Sequence, residues 1–225
     1  VATLVRPAGL GAQELLVEDI NTAGIAATGY SGFGDDVAVA GLLHFFSGDD
    51  GLTGREPWVL HLDTGVAQRL ADLYPGPTGS FPEQFVAIGS EVLFVATSPG
   101  EGKELWVTDG TPGGTVLVAD IQPGAASSSP SGLYPIPAGR AVFSASDGLL
   151  GAELWVTDGT PGGTTLVEDI HPGIPGSFPG QFALAGSILF FRAGDATDGT
   201  ELWRWTVGGV SQVKDIEPGA GAFAR

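Results

Sequence analysis

The stretch Glu104–Gly124, ELWVTDGTPGGTVLVADIQPG, returns 49 residues later as Glu153–Gly173, ELWVTDGTPGGTTLVEDIHPG. Over these 21 positions only Val116/Thr165, Ala119/Glu168 and Gln122/His171 differ. Duplication at a period near fifty residues constrains the chain to a repeat architecture, in which each unit is one supersecondary element stacked on its copies. The unit reads as a hairpin. Glu-Leu-Trp-Val-Thr has strand composition, Asp-Gly-Thr-Pro-Gly-Gly is a dense cluster of turn formers, and Thr-Val-Leu-Val-Ala-Asp-Ile is a β-branched strand ending at a second turn.

The register extends in both directions. Trp58, Trp106, Trp155 and Trp203 follow one another at spacings of 48, 49 and 48, each two residues after Glu56, Glu104, Glu153 or Glu201. Closing pairs recur at Asp19-Ile20, Asp72-Leu73, Asp120-Ile121, Asp169-Ile170 and Asp215-Ile216. Two further strands precede each Trp strand: Asp36–Ala40 with Leu42–Phe46, Gln84–Ile88 with Glu91–Ala96, Leu133–Ala138 with Arg140–Ala145, and Gln181–Ala185 with Ile188–Phe191. Each unit therefore holds strands a, b, c (the Trp strand) and d. Strand b is the most uniformly apolar, which suits burial on both faces of a small sheet. No stretch carries a 3.6-residue period.

The expected fold is all-β, a β-propeller of four-stranded antiparallel blades with four complete repeats and an incomplete fifth. A β-solenoid is the competing array, but its repeats are shorter and its strands parallel. No linker interrupts the period, so residues 1–225 are expected to form one propeller domain. Its units run approximately over 1–20 (partial), 21–73, 74–121, 122–170, 171–216 and 217–225 (partial). The N-terminus supplies a strand c (Ala2–Arg6) and a strand d (Glu14–Ile20), while Glu217–Arg225 reaches at most the start of a strand a. A blade closed from both termini lacks strand b and leaves edges unpaired, and unpaired edges invite another chain. Self-association through that blade, or excision from a longer propeller, is the expectation; a defective five-bladed ring is the alternative. The chain starts at Val1 and contains no Met, consistent with processing or an excised segment.

Asp109-Gly110-Thr111 through Gly114-Thr115, and Asp158-Gly159-Thr160 through Gly163-Thr164, resemble the signature of the ELWxxDGT repeat family of secreted bacterial proteins. The match is complete in two units. The first departs at Glu56-Pro57-Trp58 and His61-Leu62-Asp63-Thr64-Gly65, the fourth at Trp205-Thr206-Val207-Gly208-Gly209. The resemblance implies repeated β architecture and export to the cell surface or beyond, and it implies no reaction. The same hairpin is similar to the Asp-box of sialidase-type propellers. Asp109 and Asp158 are accordingly expected to cap backbone N–H groups of their own turns, with Gly110 and Gly114 supplying positive φ.

Charge narrows the partners. The chain has 26 acidic against 9 basic residues and a formal charge of −17, a surface that repels phosphate backbones, so nucleic acid is not an expected partner. No apolar run approaches bilayer length, so membrane insertion is not expected either. There is no cysteine for a disulfide or a thiolate metal site. His44, His61 and His171 form no metal-ligand spacing, and no Gly-x-Ser-x-Gly elbow or phosphate-binding loop occurs. Arg55, Arg69, Arg140, Arg192 and Arg204 occupy non-equivalent repeat positions, so they advertise no sialidase-like arginine cluster. The four Trp are expected to pack between blades, with sugar stacking as the alternative. The variable b–c loops carry Asp49, Asp50, Asp147, Asp195 and Asp198, on the face shared with the d–a loops. They are the ligand-binding candidates. Oxygen-rich loops of this kind can hold calcium, although none fits the EF-hand pattern. The expected function is a non-catalytic, exported, lectin-like scaffold that presents this acidic face to a glycan or a protein. A polysaccharide hydrolase or lyase, with paired carboxylates, is one alternative; a purely structural surface or matrix module is another.

Overall fold

The computed structural model describes residues 37–215. The expectations for Ala2–Arg6, Glu14–Ile20, Asp36, Ile216 and Glu217–Arg225 lie outside them. Among the described residues, sixteen strands form four separate four-stranded antiparallel sheets, each a meander in chain order. Blade 1 is β1 (Ala38–Ala40), β2 (Leu43–Asp49), β3 (Arg55–His61) and β4 (Val66–Arg69). Blade 2 is β5 (Glu83–Ile88), β6 (Glu91–Ser98), β7 (Gly102–Thr108) and β8 (Val116–Ala119). Blade 3 is β9 (Ser131–Ile136), β10 (Arg140–Ser146), β11 (Ala152–Thr157) and β12 (Thr165–Glu168). Blade 4 is β13 (Gly180–Ala185), β14 (Ile188–Asp195), β15 (Gly199–Thr206) and β16 (Gly209–Lys214). The helical content of the described residues is one 3-10 turn, Pro112–Gly114.

The blades stack face to face because strand b has apolar side chains on both sides of its pleat. In β6, Val92, Phe94 and Ala96 pack with Phe45 and Val59 of blade 1, while Leu93 and Val95 pack with Ala141, Phe143 and Ala145 of blade 3. Val142 and Leu154 of blade 3 then meet Leu189, Phe191 and Ala193 of blade 4. Each fully buried Phe contributes on the order of 2–3 kcal/mol by removal from water. Trp106 and Trp155 join the clusters that face the preceding blade, as does Trp203, whose Nε1–H donates to Ala193 O at 3.0 Å. Trp58 is buried on the face of blade 1 turned away from Val59 and blade 2. In blades 2, 3 and 4 the pairing of strands c and d shifts register at the residue before the Trp, an irregularity that locally sharpens the strand twist.

The c–d hairpin holds itself together. Asp109 Oδ1 accepts from Thr111 N at 2.8 Å and Thr111 Oγ1 at 2.7 Å, and Thr111 Oγ1 accepts from Gly114 N at 3.0 Å. Asp158, Thr160 and Gly163 repeat the arrangement. Gly110 has φ +90°, the left-handed conformation that favours glycine. The expectation for Gly114 needs correction, since it is not among the positive-φ glycines. Glycine makes room there for the carboxylate: a Cβ at Gly114 would displace the Asp109 carboxylate from its turn, and one at Gly163 would displace that of Asp158.

Candidate ligand-binding face

The d–a and b–c loops meet at each blade junction, and a buried glutamate organises the meeting. Glu56, Glu104 and Glu153 are fully buried at the start of strand c, and Glu201 is 4% exposed at the same repeat position. Glu56 accepts from Leu73 N at 3.0 Å, Tyr74 N at 3.2 Å, Ser80 N at 3.1 Å and Ser80 Oγ. Glu104 accepts from Ile121 N at 3.3 Å, Ser128 N at 2.8 Å and Ser128 Oγ. Glu153 accepts from Ile170 N at 3.0 Å, His171 N at 3.3 Å, Ser177 N at 2.8 Å and Ser177 Oγ. Each carboxylate thus ties the end of its own blade to the serine that enters the next. Burial pushes all three carboxyls above the usual glutamate value; the serine and backbone donors pull downward and are outweighed.

The entering segment is then clamped between blades. Ser177 N and Phe178 N both donate to Ala152 O of blade 3, at 3.0 and 2.9 Å, while Ser177 O accepts from Gly194 N of blade 4 at 2.8 Å. Ser80, Phe81, Arg55 and Thr97 make the same pattern between blades 1 and 2. The loop lies so close to strand c that a Cβ at Gly151 would overlap the backbone of Ile174 and Gly176. Clamping forces the residue after the serine into left-handed backbone, φ +50° at Phe81, +51° at Ser129 and +49° at Phe178. Such a conformation costs a non-glycine residue about 1–2 kcal/mol. Despite that cost, two of the three positions carry phenylalanine, with the side chains out of the core: Phe81 is 53% and Phe178 67% exposed. A proline follows in each case (Pro82, Pro130, Pro179) and fixes the next φ.

At the junction of blades 3 and 4 these loops enclose a cleft of about 380 Å³, lined by His171, Phe178, Arg192, Asp195 and Thr200 among others. Its size falls within the range of small-ligand sites. Asp195 Oδ1 accepts from Thr197 N at 2.8 Å and Asp198 N at 2.7 Å. Burial raises the Asp195 carboxyl, but the Asp198 and Thr197 donors, with His171 adding to them, hold it below the usual aspartate value.

The structure brings only one of the sequence candidates, Asp195, into this cleft. Asp49 accepts from Gly51 N at 2.8 Å, and Asp147 from Leu149 N and Leu150 N at 2.8 and 2.9 Å. Asp50 accepts from Leu52 N, Thr53 N and Thr53 Oγ1 and pairs with Arg69 at 3.1 Å. Burial raises the Asp50 carboxyl, but these contacts outweigh it and lower the value. Asp198 belongs to an acidic grouping with Asp195 and Glu201; desolvation, then repulsion from these three, raises Asp215. Asp49, Asp50, Asp147 and Asp195 thus shape their own loops through Asx turns. Among the described residues no group of three or more His, Asp or Glu side chains is arranged to hold a metal ion. Phe81 and Phe178 escaped sequence reasoning. Their signal was the repeated tetrapeptide Gly-Ser-Phe-Pro at 79–82 and 176–179, where unit three reads Ser-Ser-Ser-Pro.

No protein-family model matches the chain, and no curated protein does. Solved structures do. A TolB-like protein from Agrobacterium tumefaciens superposes with TM-score 0.51 at 14% identity, over 83% of this chain and 66% of that one. The xyloglucanase of family GH74 from Xanthomonas campestris gives TM-score 0.53 at 16% identity, over 80% and 30%. The acylaminoacyl peptidase of Pyrococcus horikoshii gives 0.50 at 14%, over 80% and 27%. The chain therefore spans about two thirds or less of each of these proteins. At such identities the likeness speaks for architecture alone: four antiparallel four-stranded blades, nearly without helix, in a β-propeller.

Proposed function

We propose that the protein is a non-catalytic repeat scaffold of the cell surface or extracellular space whose loop face binds glycan, a lectin-like role. The observation that carries this reading is the cleft between blades 3 and 4, where an exposed aromatic residue stands with imidazole, hydroxyl and carboxylate groups. That combination suits a sugar, whose C–H face can stack on a ring while its hydroxyls take polar partners. The charge of −17 favours neutral over anionic saccharides. The ELWxxDGT resemblance supports export, and no helix among the described residues is long and apolar enough to cross a membrane.

A glycan array, run with and without calcium, tests the reading. Binding of neutral glycans without release of sugar from the polysaccharide is the expected result. Release of product would replace it with the hydrolase reading. Silence on the array would leave a protein partner or a structural module. If calcium bridges Asp195 and a sugar, Asp195→Asn abolishes the calcium-dependent part of the signal; equal signals with and without calcium remove the metal from the proposal. Light scattering on the same preparation reports whether the chain self-associates.

A further inference from the structure

The cleft is one instance of a repeated arrangement. Subtracting 97 from its residues maps His171, Phe178, Asp195 and Thr200 onto Tyr74, Phe81, Ser98 and Lys103 at the junction of blades 1 and 2. The backbone frame is the same at both places. Phe81 N donates to Arg55 O at 3.1 Å as Phe178 N donates to Ala152 O at 2.9 Å, and the φ angles agree within one degree. At the middle junction the frame persists, with Ser129 N donating to Lys103 O at 3.2 Å and φ +51°, but the ring is missing.

Folding does not account for the rings. A left-handed position is served best by glycine or asparagine, and a side chain left more than half exposed adds little core. No other phenylalanine or tryptophan stands among the exposed large hydrophobics of the described residues. Clamped backbone and a following proline fix where such a ring is displayed, so contact with a flat ligand costs little backbone ordering.

We infer that Phe81 and Phe178 are the stacking platforms of two subsites for neutral pyranose sugars at equivalent repeat positions, and that the Ser129 junction between them is a blank. The inference rests on the glycan-binding reading and deepens it. The sites differ in their polar partners. His171, Asp195 and Thr200 surround the Phe178 site, whereas Lys103 is paired with Glu83 at 2.6 Å beside the Phe81 site. The Phe178 site is therefore the stronger one, and a polysaccharide long enough to engage both gains by avidity.

Native electrophoresis through gels cast with hydroxyethylcellulose, mixed-linkage β-glucan, galactomannan or polygalacturonate tests this. The parent protein is expected to be retarded by at least one neutral polymer. Phe178→Gly should weaken that retardation by about tenfold, Phe81→Gly by less, and the double variant should abolish it. Phe178→Trp should retain binding, and Ser129→Phe should strengthen it. Glycine suits the left-handed backbone, so the glycine variants should melt within about 3 °C of the parent. Should one of them unfold, the Trp and Ser129→Phe variants still decide the matter. Unchanged retardation of a folded double variant overturns the subsites and leaves glycan binding standing. Retardation of the parent by no neutral polymer, or by polygalacturonate alone, overturns the subsites and the neutral-glycan reading together.

Discussion

Glu104 and Asp109 stand on one hairpin, and both recur 49 residues later as Glu153 and Asp158. As letters in a repeat they are alike. In the folded chain they are opposites. Glu104 is fully buried and ties the end of blade 2 to Ser128 at the entry of blade 3, whereas Asp109 is exposed and bonds only within its own turn. Burial raises the glutamate carboxyl, while the Thr111 hydroxyl and N–H lower that of Asp109. Repetition therefore identifies residues that shape the repeat without saying whether they do so between blades or inside one.

The sharpest way to break this comparison is to remove the two acids in turn. Glu153→Ala leaves the N–H groups of Ile170 and His171 and the Ser177 hydroxyl without their carboxylate, while Ser177 N keeps Ala152 O, and unsatisfied buried groups cost about 1–3 kcal/mol each. We expect a loss of about 3 kcal/mol or more in denaturant unfolding, together with faster amide exchange across the 171–178 loop. A loss below about 1 kcal/mol would show that the latch is dispensable.

The next effect is pH. The Glu56, Glu104 and Glu153 carboxyls are raised from 4.5, so their contribution to stability is fully present below that pH and is lost as pH rises through the folded values. Asp109 and Asp158 are lowered from 3.8, so their contribution is present above that pH and lost as pH falls through the folded values. Melting temperature followed against pH should therefore show less decline above pH 4.5 in Glu104→Gln than in the parent. Asp109→Asn should instead flatten the decline on the acid side of pH 3.8. Parallel curves for parent and both variants would refute the assignment.

Smaller still is Asp109→Ala, which removes an exposed turn cap and should cost about 1 kcal/mol or less. A larger loss would place Asp109 in the packing as well as the turn. Smallest is Phe178→Gly, where relief of left-handed strain and the greater freedom of unfolded glycine nearly cancel. A clear destabilisation there would assign the ring to the fold rather than to a ligand.

Much of the fold was legible because its signals are local. Strand and turn composition recurs at 48 or 49 residues, and the sheets follow that register, with β6 and β10 buried on both faces as their apolar runs require. The alternation in β14, with Leu189, Phe191 and Ala193 buried and Arg192 exposed, was not legible. The buried set is the one that packs against Val142 and Leu154 of blade 3. The arrangement of the loops was legible, but what their side chains do was not. That b–c and d–a loops share a face was legible, but the aspartates there are largely occupied in capping their own turns, and the rings were missed.

Repetition and composition by themselves determined the strand order, the hairpins and the acidic character of this protein, since turn chemistry and pleat periodicity act over a few neighbouring residues. Tertiary structure decided that Glu104 is buried while Asp109 is exposed, and that Phe81 and Phe178 point out of the core. Burial depends on what packs from elsewhere in the chain. The Glu104 carboxylate finds its serine 24 residues away, at the entry to the next blade, and no local pattern records that meeting.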